Sequence, residues 1–248
     1  MNILVMFDGV GLARLGLEKA GHICTGIELD PWKHYLSTWV GSGNCILDDV
    51  RNIDIRKYDA IWASPPCQWY STARTQGEPI SEYSVDLLSW CLNLDKNILW
   101  VENVLSFKNN SWGYLYNAAQ FLKEPIQNRN RIIGGKFKQP KLFRKYKKYY
   151  KGLNLCPCIT ASEYKGCATD NRRASRYYSR KLTMEECAYH QGFSIPRVWY
   201  LRPDKFEGTK AKWIKNIYEG IGNGVPVYMA QAFGEVYRDR FKRMELRR

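Results

Sequence analysis

The sequence lacks any apolar run near the roughly 20 residues that a bilayer-spanning helix needs. Its opening, MNILVMFDGVG, has no basic leader and no small-residue cleavage site, so a secretory signal peptide is not predicted. No internal repeat and no low-complexity linker interrupts the 248 residues. These absences predict a cytoplasmic protein with one sizeable core, neither embedded in a membrane nor exported.

Acidic residues are scarce relative to basic ones. The 24 Asp and Glu residues stand against 38 Lys and Arg residues, which gives a formal net charge of +14. Such a surplus favours a polyanionic partner, either nucleic acid or a membrane surface, although a basic surface without a partner remains the alternative. The eight cysteines of a cytoplasmic chain are expected to be reduced, which favours metal binding or nucleophilic chemistry over a disulfide framework.

Short β-like segments alternate with helical patterns along the first hundred residues. The predicted strands are NILVMF, HICTGIEL, DAIWAS and NILWVEN, and the predicted helices are LARLGLEKAG, PWKHYLSTWV and EYSVDLLSWCLNL. This alternation predicts an α/β fold with a doubly wound, largely parallel, Rossmann-like sheet. Ligands bind such sheets at the carboxyl ends of the strands.

The turn FDGVG after the first strand is the first candidate for a ligand site. Gly9 and Gly11 let the backbone turn tightly and approach a ligand at a helix N-terminus, although a turn without a ligand is the alternative. Glu28 ends the second strand, where a carboxylate can bind ribose hydroxyls. A diphosphate-binding fingerprint needs a further glycine three positions on, and that residue is Arg14. The pattern therefore favours a nucleoside cofactor without a diphosphate.

A thiol and a carboxyl group form the second candidate. In ASPPCQ, Cys67 follows Pro65 and Pro66, which leave the backbone few alternatives, and Glu102 lies in WVENV at another strand end. A thiolate can add to an electron-poor ring while a carboxylic acid supplies a proton or a hydrogen bond. The alternatives are a buried, apolar role for Cys67 and a helix-capping role for Glu102.

The segment QNRNR forms the third candidate. Gln127, Arg129 and Arg131 share one face if this segment is extended. Their side chains could hold a phosphate or a planar base through the guanidinium fork. A solvated edge strand is the alternative.

Six segments, in order, resemble motifs of the DNA (cytosine-5) methyltransferase family: FDGVG, ASPPCQ, VENV, QNRNR, RKLTMEECAYHQGF and IGNGVPVYMA. The resemblance implies that a cytosine flipped out of double-stranded DNA receives a methyl group from S-adenosylmethionine at C5. It implies that Cys67 adds to C6 and that Glu102 bonds to the N3/N4 edge. It also implies that Arg131 holds O2, that Arg129 supports Arg131, and that Gln68 lies on the loop that moves in the family.

The resemblance also implies a set of cofactor-binding residues, with three departures from the family pattern. The set is Phe7, Gly9, Gly11, Glu28, Asp49, Pro66, Asn223 and Val225. Trp32 is a candidate for stacking on the adenine, although Leu29 occupies the commoner position for that aromatic residue. Leu12 stands where the family has glycine, Asp8 where a small residue is common, and Gly224 where a small polar residue is usual. Asp8 and Leu12 leave the cofactor affinity, and even the methyl donor, open.

The region that would read the target sequence is short, with about 48 residues between QNRNR and RKLT. We predict a catalytic domain of residues 1–136 plus 212–248 and a small target-recognition domain of residues 137–211, with a short or loose recognition sequence. Contacts that are mostly to phosphates give salt-sensitive affinity without sequence readout. The candidate nucleic-acid contacts are Gln127, Lys145, Lys147, Lys148, Arg172, Arg173 and Arg176.

Several alternatives stay open at this point. Cys156, Cys158 and Cys167 form a zinc site only if His190 or Cys187 supplies a fourth ligand, so no metal is predicted. One branch of the family's fold acts on transfer RNA, which keeps an RNA substrate as the rival, and a catalytically silent nucleic-acid-binding protein is a second rival. We expect a monomer. A cognate restriction endonuclease is a candidate partner.

Overall fold

The structure is a computed structural model that describes residues 1–66, 83–105, 111–147, 153, 155–165 and 178–238, with the backbone alone for residues 83–86. Its strands are β1 (Asn2–Met6), β2 (Ile23–Glu28), β3 (Cys45–Leu47), β4 (Ala60–Ala63), β5 (Leu99–Val104), β6 (Tyr114–Asn117) and β7 (Asn130–Lys136). Its α-helices are α1 (Leu12–Lys19), α2 (Pro31–Ser37), α3 (Tyr83–Leu92), α4 (Met184–Gln191), α5 (Lys210–Asn223) and α6 (Val227–Glu235).

The strands form one seven-stranded mixed sheet in the order β3-β2-β1-β4-β5-β7-β6. The neighbours from β3 to β5 pair in parallel, whereas β7 is antiparallel to both β5 and β6. The α/β class with a largely parallel sheet is therefore confirmed, and all four predicted strands are present as β1, β2, β4 and β5. The short strand β3 and the antiparallel strand β6 are additions to the predicted strands, and β7 begins within QNRNR, for which an edge strand was the alternative.

Local sequence signals explain where the helices begin and end. The side chain of Asp30 accepts hydrogen bonds from the backbone N–H groups of Trp32 and Lys33, and Pro31 occupies the first turn of α2. In α4, Thr183 and Glu186 form a reciprocal capping box. Close packing fixes α1 against α6, because a Cβ added to Gly16 would lie 2.3 Å from the carbonyl oxygen of Val227.

The hydrophobic core crosses the predicted domain boundary. One cluster joins Leu12 and Leu36 of the N-terminal part with Trp199 and Trp213, and Trp199 Nε1 donates to the carbonyl oxygen of Leu36 at 3.0 Å. Residues assigned to the small domain thus share a core with the sheet layer, while the domain limits themselves stay a prediction. Within the described residues, no helix is long and apolar enough to cross a membrane.

Candidate active site

A cavity of about 650 Å³ opens at the carboxyl ends of β1, β2, β4 and β5. Its size is typical of a pocket for a small molecule. Residues from all the predicted motifs that the structure describes contribute to its walls, apart from the segment 180–193. The predicted site residues that line it are Phe7, Gly9, Glu28, Asp49, Pro66, Glu102, Arg131, Asn223 and Val225.

The turn after β1 has an unusual backbone. Gly9 and Gly11 have φ angles of +59° and +86°, and Phe7, with a side chain, has a φ of +59°. Glycine adopts positive φ without steric cost, whereas a phenylalanine there is strained. Gly11, which does not line the cavity, is the N-cap of α1. The strain lies at the wall of the cavity, where strained residues are often functional.

Glu28 is fixed by two backbone groups. Its Oε2 accepts from Gly9 N–H at 2.8 Å, and its Oε1 accepts from Asp30 N–H at 2.9 Å. Each carboxylate oxygen retains capacity for a further hydrogen bond. Burial raises the pKa of this carboxyl group above its usual value. Glu28 is therefore an oriented acceptor at the end of β2, as a ribose-binding residue must be.

Glu102 and Arg131 form an ion pair inside the cavity. Arg131 Nε lies 2.7 Å from Glu102 Oε1, and both side chains are less than one-tenth exposed. The pairing of β5 with the antiparallel β7 brings them together, since Glu102 is opposite Ile133 and Val104 is opposite Arg131. Arg131 also donates to the carbonyl oxygen of Asn130 at 2.8 Å. A carboxyl group and a guanidinium thus face one ligand space from adjacent strands.

The proline pair reaches the same cavity. Pro65 and Pro66 line it, and Asn103 Nδ2 donates to the carbonyl oxygen of Pro65 at 3.1 Å. This bond ties the segment before the predicted nucleophile to the residue after Glu102. Cys67 and Gln68 follow in sequence and lie outside the described residues.

Several other thiols are poor nucleophiles. Burial raises the pKa of Cys45 and of Cys187 to about 12, and it raises the pKa of Cys24, Cys91 and Cys156 as well. A thiol reacts as its thiolate, so these cysteines are inert near neutral pH.

The sequence model of the C-5 cytosine-specific DNA methylase family matches residues 1–117, which carry the cofactor turn, the Pro-Cys segment and Glu102. Residues 1–117 form a domain of this family. No curated protein sequence matches the chain.

The methylase fold extends beyond this domain, as solved structures show. The S. pombe Dnmt2 methyltransferase is 14% identical, with a TM-score of 0.59 over 98% of this chain and 99% of that one. The Entamoeba histolytica methyltransferase EhMeth is 14% identical, with a TM-score of 0.60 over 97% and 98%. A protein described as a DNA modification methyltransferase encoded within a prophage (E. coli) is 15% identical, with a TM-score of 0.58 over 98% and 99%.

Arg129 lies beside the cavity and is not among the residues that line it. Its guanidinium is fully buried and donates to the carbonyl oxygens of Ile159 at 2.5 Å, Gly222 at 2.9 Å and Gly224 at 3.0 Å. The resemblance implied that Arg129 supports Arg131. In the structure it instead holds the two carbonyls that flank Asn223, because the chain turns its side chain away from the cavity.

Gln127 differs from its predicted place at the nucleic-acid surface. It is fully buried, its Nε2 donates to the carbonyl oxygen of His190 at 2.8 Å, and its Oε1 accepts from Ile159 N–H at 3.1 Å. These bonds join the segment before β7 to α4, so Gln127 has no face left for DNA in this structure. Lys145 and Lys147 are exposed, and their contacts with phosphates stay a prediction. Lys148, Arg172, Arg173 and Arg176 lie outside the described residues.

The aromatic candidate for the adenine is held by a second layer of rings. Trp32 lines the cavity and packs edge-on against Phe206, with 4.9 Å between the ring centroids, and against Trp213. Leu29 also lines the cavity and is 62% exposed. Both predicted positions therefore reach the pocket.

The zinc alternative finds no support in the described residues, which contain no group of three metal-ligating side chains. Cys158 Sγ accepts from Arg129 at 3.1 Å. His190 bonds through Nδ1 to the carbonyl oxygen of Ile126 and through Nε2 to the hydroxyl of Tyr178, both at 3.1 Å. Cys167 lies outside the described residues.

Proposed function

We propose that this C5-cytosine methyltransferase uses S-adenosylmethionine to methylate C5 of a flipped-out cytosine in double-stranded DNA through a covalent Cys67 adduct. The observation that carries the proposal is the Glu102–Arg131 pair at 2.7 Å, in the same cavity as the oriented carboxylate of Glu28. A base-binding pair and a nucleoside-binding acceptor then face each other across one space.

The cavity residues fit the proposed cofactor. Glu28 offers oriented acceptors for ribose hydroxyls, and Trp32 offers a ring to the adenine. Arg14 stands at the position where a dinucleotide fingerprint has glycine, and it is buried and bonded to protein groups. It therefore offers no guanidinium to a diphosphate, which favours a nucleoside cofactor. S-adenosylmethionine supplies an electrophilic methyl group.

The chain's own groups would activate the cytosine ring. Sγ of Cys67 forms a bond to C6, while a proton shared between Glu102 and N3 takes up the charge that builds in the ring. Arg131 holds O2 through its guanidinium. C5 then acts as the nucleophile toward the methyl group. Loss of the C5 proton to water and cleavage of the Sγ–C6 bond restore the thiol and release 5-methylcytosine.

Double-stranded DNA is the substrate that we propose, with an RNA substrate as the alternative. The net charge of +14 and the exposed Lys145 and Lys147 support a polyanion. The solved structures that resemble the chain include both a Dnmt2 methyltransferase and a protein described as a DNA modification methyltransferase, so the fold alone does not choose between the two substrates.

Nucleoside mass spectrometry tests the proposal. The protein is incubated with S-adenosylmethionine and, separately, with duplex DNA and with transfer RNA. We expect 5-methylcytosine in the DNA alone. 5-Methylcytosine in the RNA alone would contradict the proposed DNA substrate, and its absence from both nucleic acids would contradict the proposed methyltransferase activity.

The covalent step has its own test. In the presence of S-adenosylmethionine, duplex DNA containing 5-fluorocytosine should form a complex with the protein that survives denaturing electrophoresis, because after methyl transfer the fluorine at C5 cannot leave as a proton does. Cys67→Ala should abolish this complex and the methyl transfer. Cys91→Ala, which removes a buried thiol away from the cavity, is the matched control. Transfer that persists in Cys67→Ala would exclude the adduct.

A further inference from the structure

Asp8, in the turn that resembles the family's cofactor motif, has a buried partner. Asp8 Oδ2 lies 3.0 Å from Nε of Arg14, and both side chains have no exposed surface. Both positions depart from a sequence pattern. Asp8 stands where a small residue is common in the family, and Arg14 stands where a diphosphate-binding fingerprint has glycine. The structure shows that they contact each other.

Arg14 connects the pair to the segment after α2. Its guanidinium donates to the carbonyl oxygen of Ser37 at 2.7 Å and to that of Val40 at 3.0 Å. Asp8 lies between two strained or constrained positions, Phe7 and Gly9. The pair therefore links the cofactor turn, helix α1 and the chain leading to β3 through buried hydrogen bonds, which are stronger in a low-dielectric interior than in water.

Strand β2 is built to admit the Asp8 side chain. A Cβ added to Gly26 would lie 2.4 Å from Asp8 Oδ2 and 2.6 Å from Asp8 Cγ. The backbone of Asp8 is held as well, since its N–H donates to the carbonyl oxygen of Ile27 and its carbonyl oxygen accepts from Gly11 N–H, both at 2.9 Å. Gly26 in β2 thus leaves space for the Asp8 side chain, and Arg14 in α1 supplies the opposite charge.

This arrangement explains how the strained Phe7 persists. A residue with a side chain keeps a positive φ only where its surroundings over-determine it. Asp8 follows Phe7 directly, and its buried ion pair and two backbone bonds fix the direction in which the chain leaves β1. Gly9, which comes next, is then placed so that its N–H reaches Glu28 at 2.8 Å.

We propose that Asp8 and Arg14 are a positioning pair that sets the shape of the cofactor-binding turn and, through it, the affinity for S-adenosylmethionine. The inference rests on the proposed function. Asp8 lines the cavity and acts through the positions of Phe7 and Gly9, since its Oδ2 is paired with Arg14. The pair thereby accounts for the departure at Asp8 without a change of methyl donor.

Isothermal titration of S-adenosylmethionine into the purified chain tests the pair. We expect Asp8→Asn and Arg14→Gln each to raise the Kd for the cofactor at least tenfold, while kcat at saturating cofactor changes less than threefold. The double variant Asp8→Asn/Arg14→Gln should raise the Kd by less than the product of the single effects, because coupled residues are not additive. Arg56→Gln, which breaks the exposed pair with Asp54, is the matched control and should leave the Kd unchanged.

Thermal unfolding separates positioning from stability alone. All titrations are made at least about 15 °C below the melting temperature of each variant. Single variants that lower the melting temperature but leave the Kd within twofold would overturn the proposal. If Asp8→Asn or Arg14→Gln fails to fold, Gly26→Ala and Arg14→Lys take their place, and an unchanged Kd in these variants would overturn it equally.

The titration of the unaltered chain distinguishes this inference from the proposed function. If the unaltered chain does not bind S-adenosylmethionine, both fail. If it binds the cofactor and the Asp8 and Arg14 variants bind equally well, only the positioning role fails.

Discussion

Leu12 and Gly224 pack directly against each other in the wall of the cavity. A Cβ added to Gly224 would lie 2.6 Å from Cδ1 and 3.1 Å from Cγ of Leu12. Each residue departs from the family pattern, one by being larger than usual and the other by being smaller. The structure shows that the two departures occupy the same space, so the larger residue is accommodated by the smaller one.

Gly224→Ala should therefore disturb the cofactor site. The φ of Gly224 is −66°, which alanine adopts freely, so the clash with Leu12 is the whole effect. Overpacking of this kind costs about 1–3 kcal/mol of unfolding free energy. We also expect a Kd for S-adenosylmethionine about tenfold higher, which is about 1.4 kcal/mol. Chemical denaturation and calorimetric titration measure both effects. Adding Leu12→Ala removes the clash and should restore the Kd, while the loss of a buried leucine itself costs about 2–5 kcal/mol of unfolding free energy. A double variant whose Kd is no lower than that of Gly224→Ala would contradict this explanation.

Glu102→Gln should separate chemistry from cofactor binding. Glutamine keeps the size of the side chain but cannot transfer a proton to the ring. Loss of general acid catalysis lowers kcat by about 10²–10⁴-fold, while the Kd for S-adenosylmethionine should stay within about twofold. Steady-state kinetics measures kcat, and calorimetric titration measures the Kd. Glu219→Gln, on the exposed face of α5, is the control. A variant with normal kcat would remove Glu102 from the mechanism.

Arg129→Met should lower the stability of the folded protein. It would leave the carbonyl oxygens of Ile159, Gly222 and Gly224 without their buried donor. Removing such a partner costs about 3 kcal/mol or more of unfolding free energy. Cofactor affinity should fall too, since Asn223 lies between two of these carbonyls. Urea unfolding measures the first effect. Full stability with a lower kcat would instead show that Arg129 acts on the substrate, as the family resemblance implied.

Two buried histidines should make the protein sensitive to mild acid. Burial lowers the pKa of both His22 and His190. The folded state therefore favours the neutral rings, and the unfolded chain takes up protons first, near pH 6.5. Stability is complete above that pH and falls as the pH drops toward the folded pKa, by up to about 1.4 kcal/mol per pH unit for each histidine.

Urea unfolding between pH 7.5 and pH 5.5 tests this dependence. We expect His22→Asn and His190→Asn each to flatten the curve below about pH 6.5. A double variant with the same slope as the unaltered chain would assign the acid sensitivity to other groups.

The fold class followed from the sequence because its signals are local. The first strand, the glycine turn and the helix after it are contiguous, and the carboxyl end of each parallel strand points to one edge of the sheet. Glu28 and Glu102 could be placed in one site for that reason. Strand β6 was not predicted because its four residues, YLYN, show no alternation of apolar and polar side chains, and two of them are exposed.

The roles of Gln127 and Arg129 could not be read from the sequence. The partners of Arg129 are carbonyl oxygens as far along the chain as Gly224, and every residue has a carbonyl, so no side-chain pattern marks them. Likewise, Arg14 was visible as a missing glycine, yet only the packing of α1 against the turn shows that it pairs with Asp8. Long-range hydrogen bonds to backbone groups require the folded structure.

The walls of the cavity come from parts of the chain that are far apart in sequence, with Phe7 in one part and Asn223 in the other. Helix α6, which packs on α1 through Gly16, also comes from the late part. At ribosomal speeds of about 5–20 residues per second, these walls are synthesised on the order of 10–40 s apart. A nascent chain therefore lacks the complete cavity until the residues around Asn223 have been synthesised. The cavity is complete only after the late helices have docked, so any activity that depends on it starts with a delay after the sheet has been synthesised.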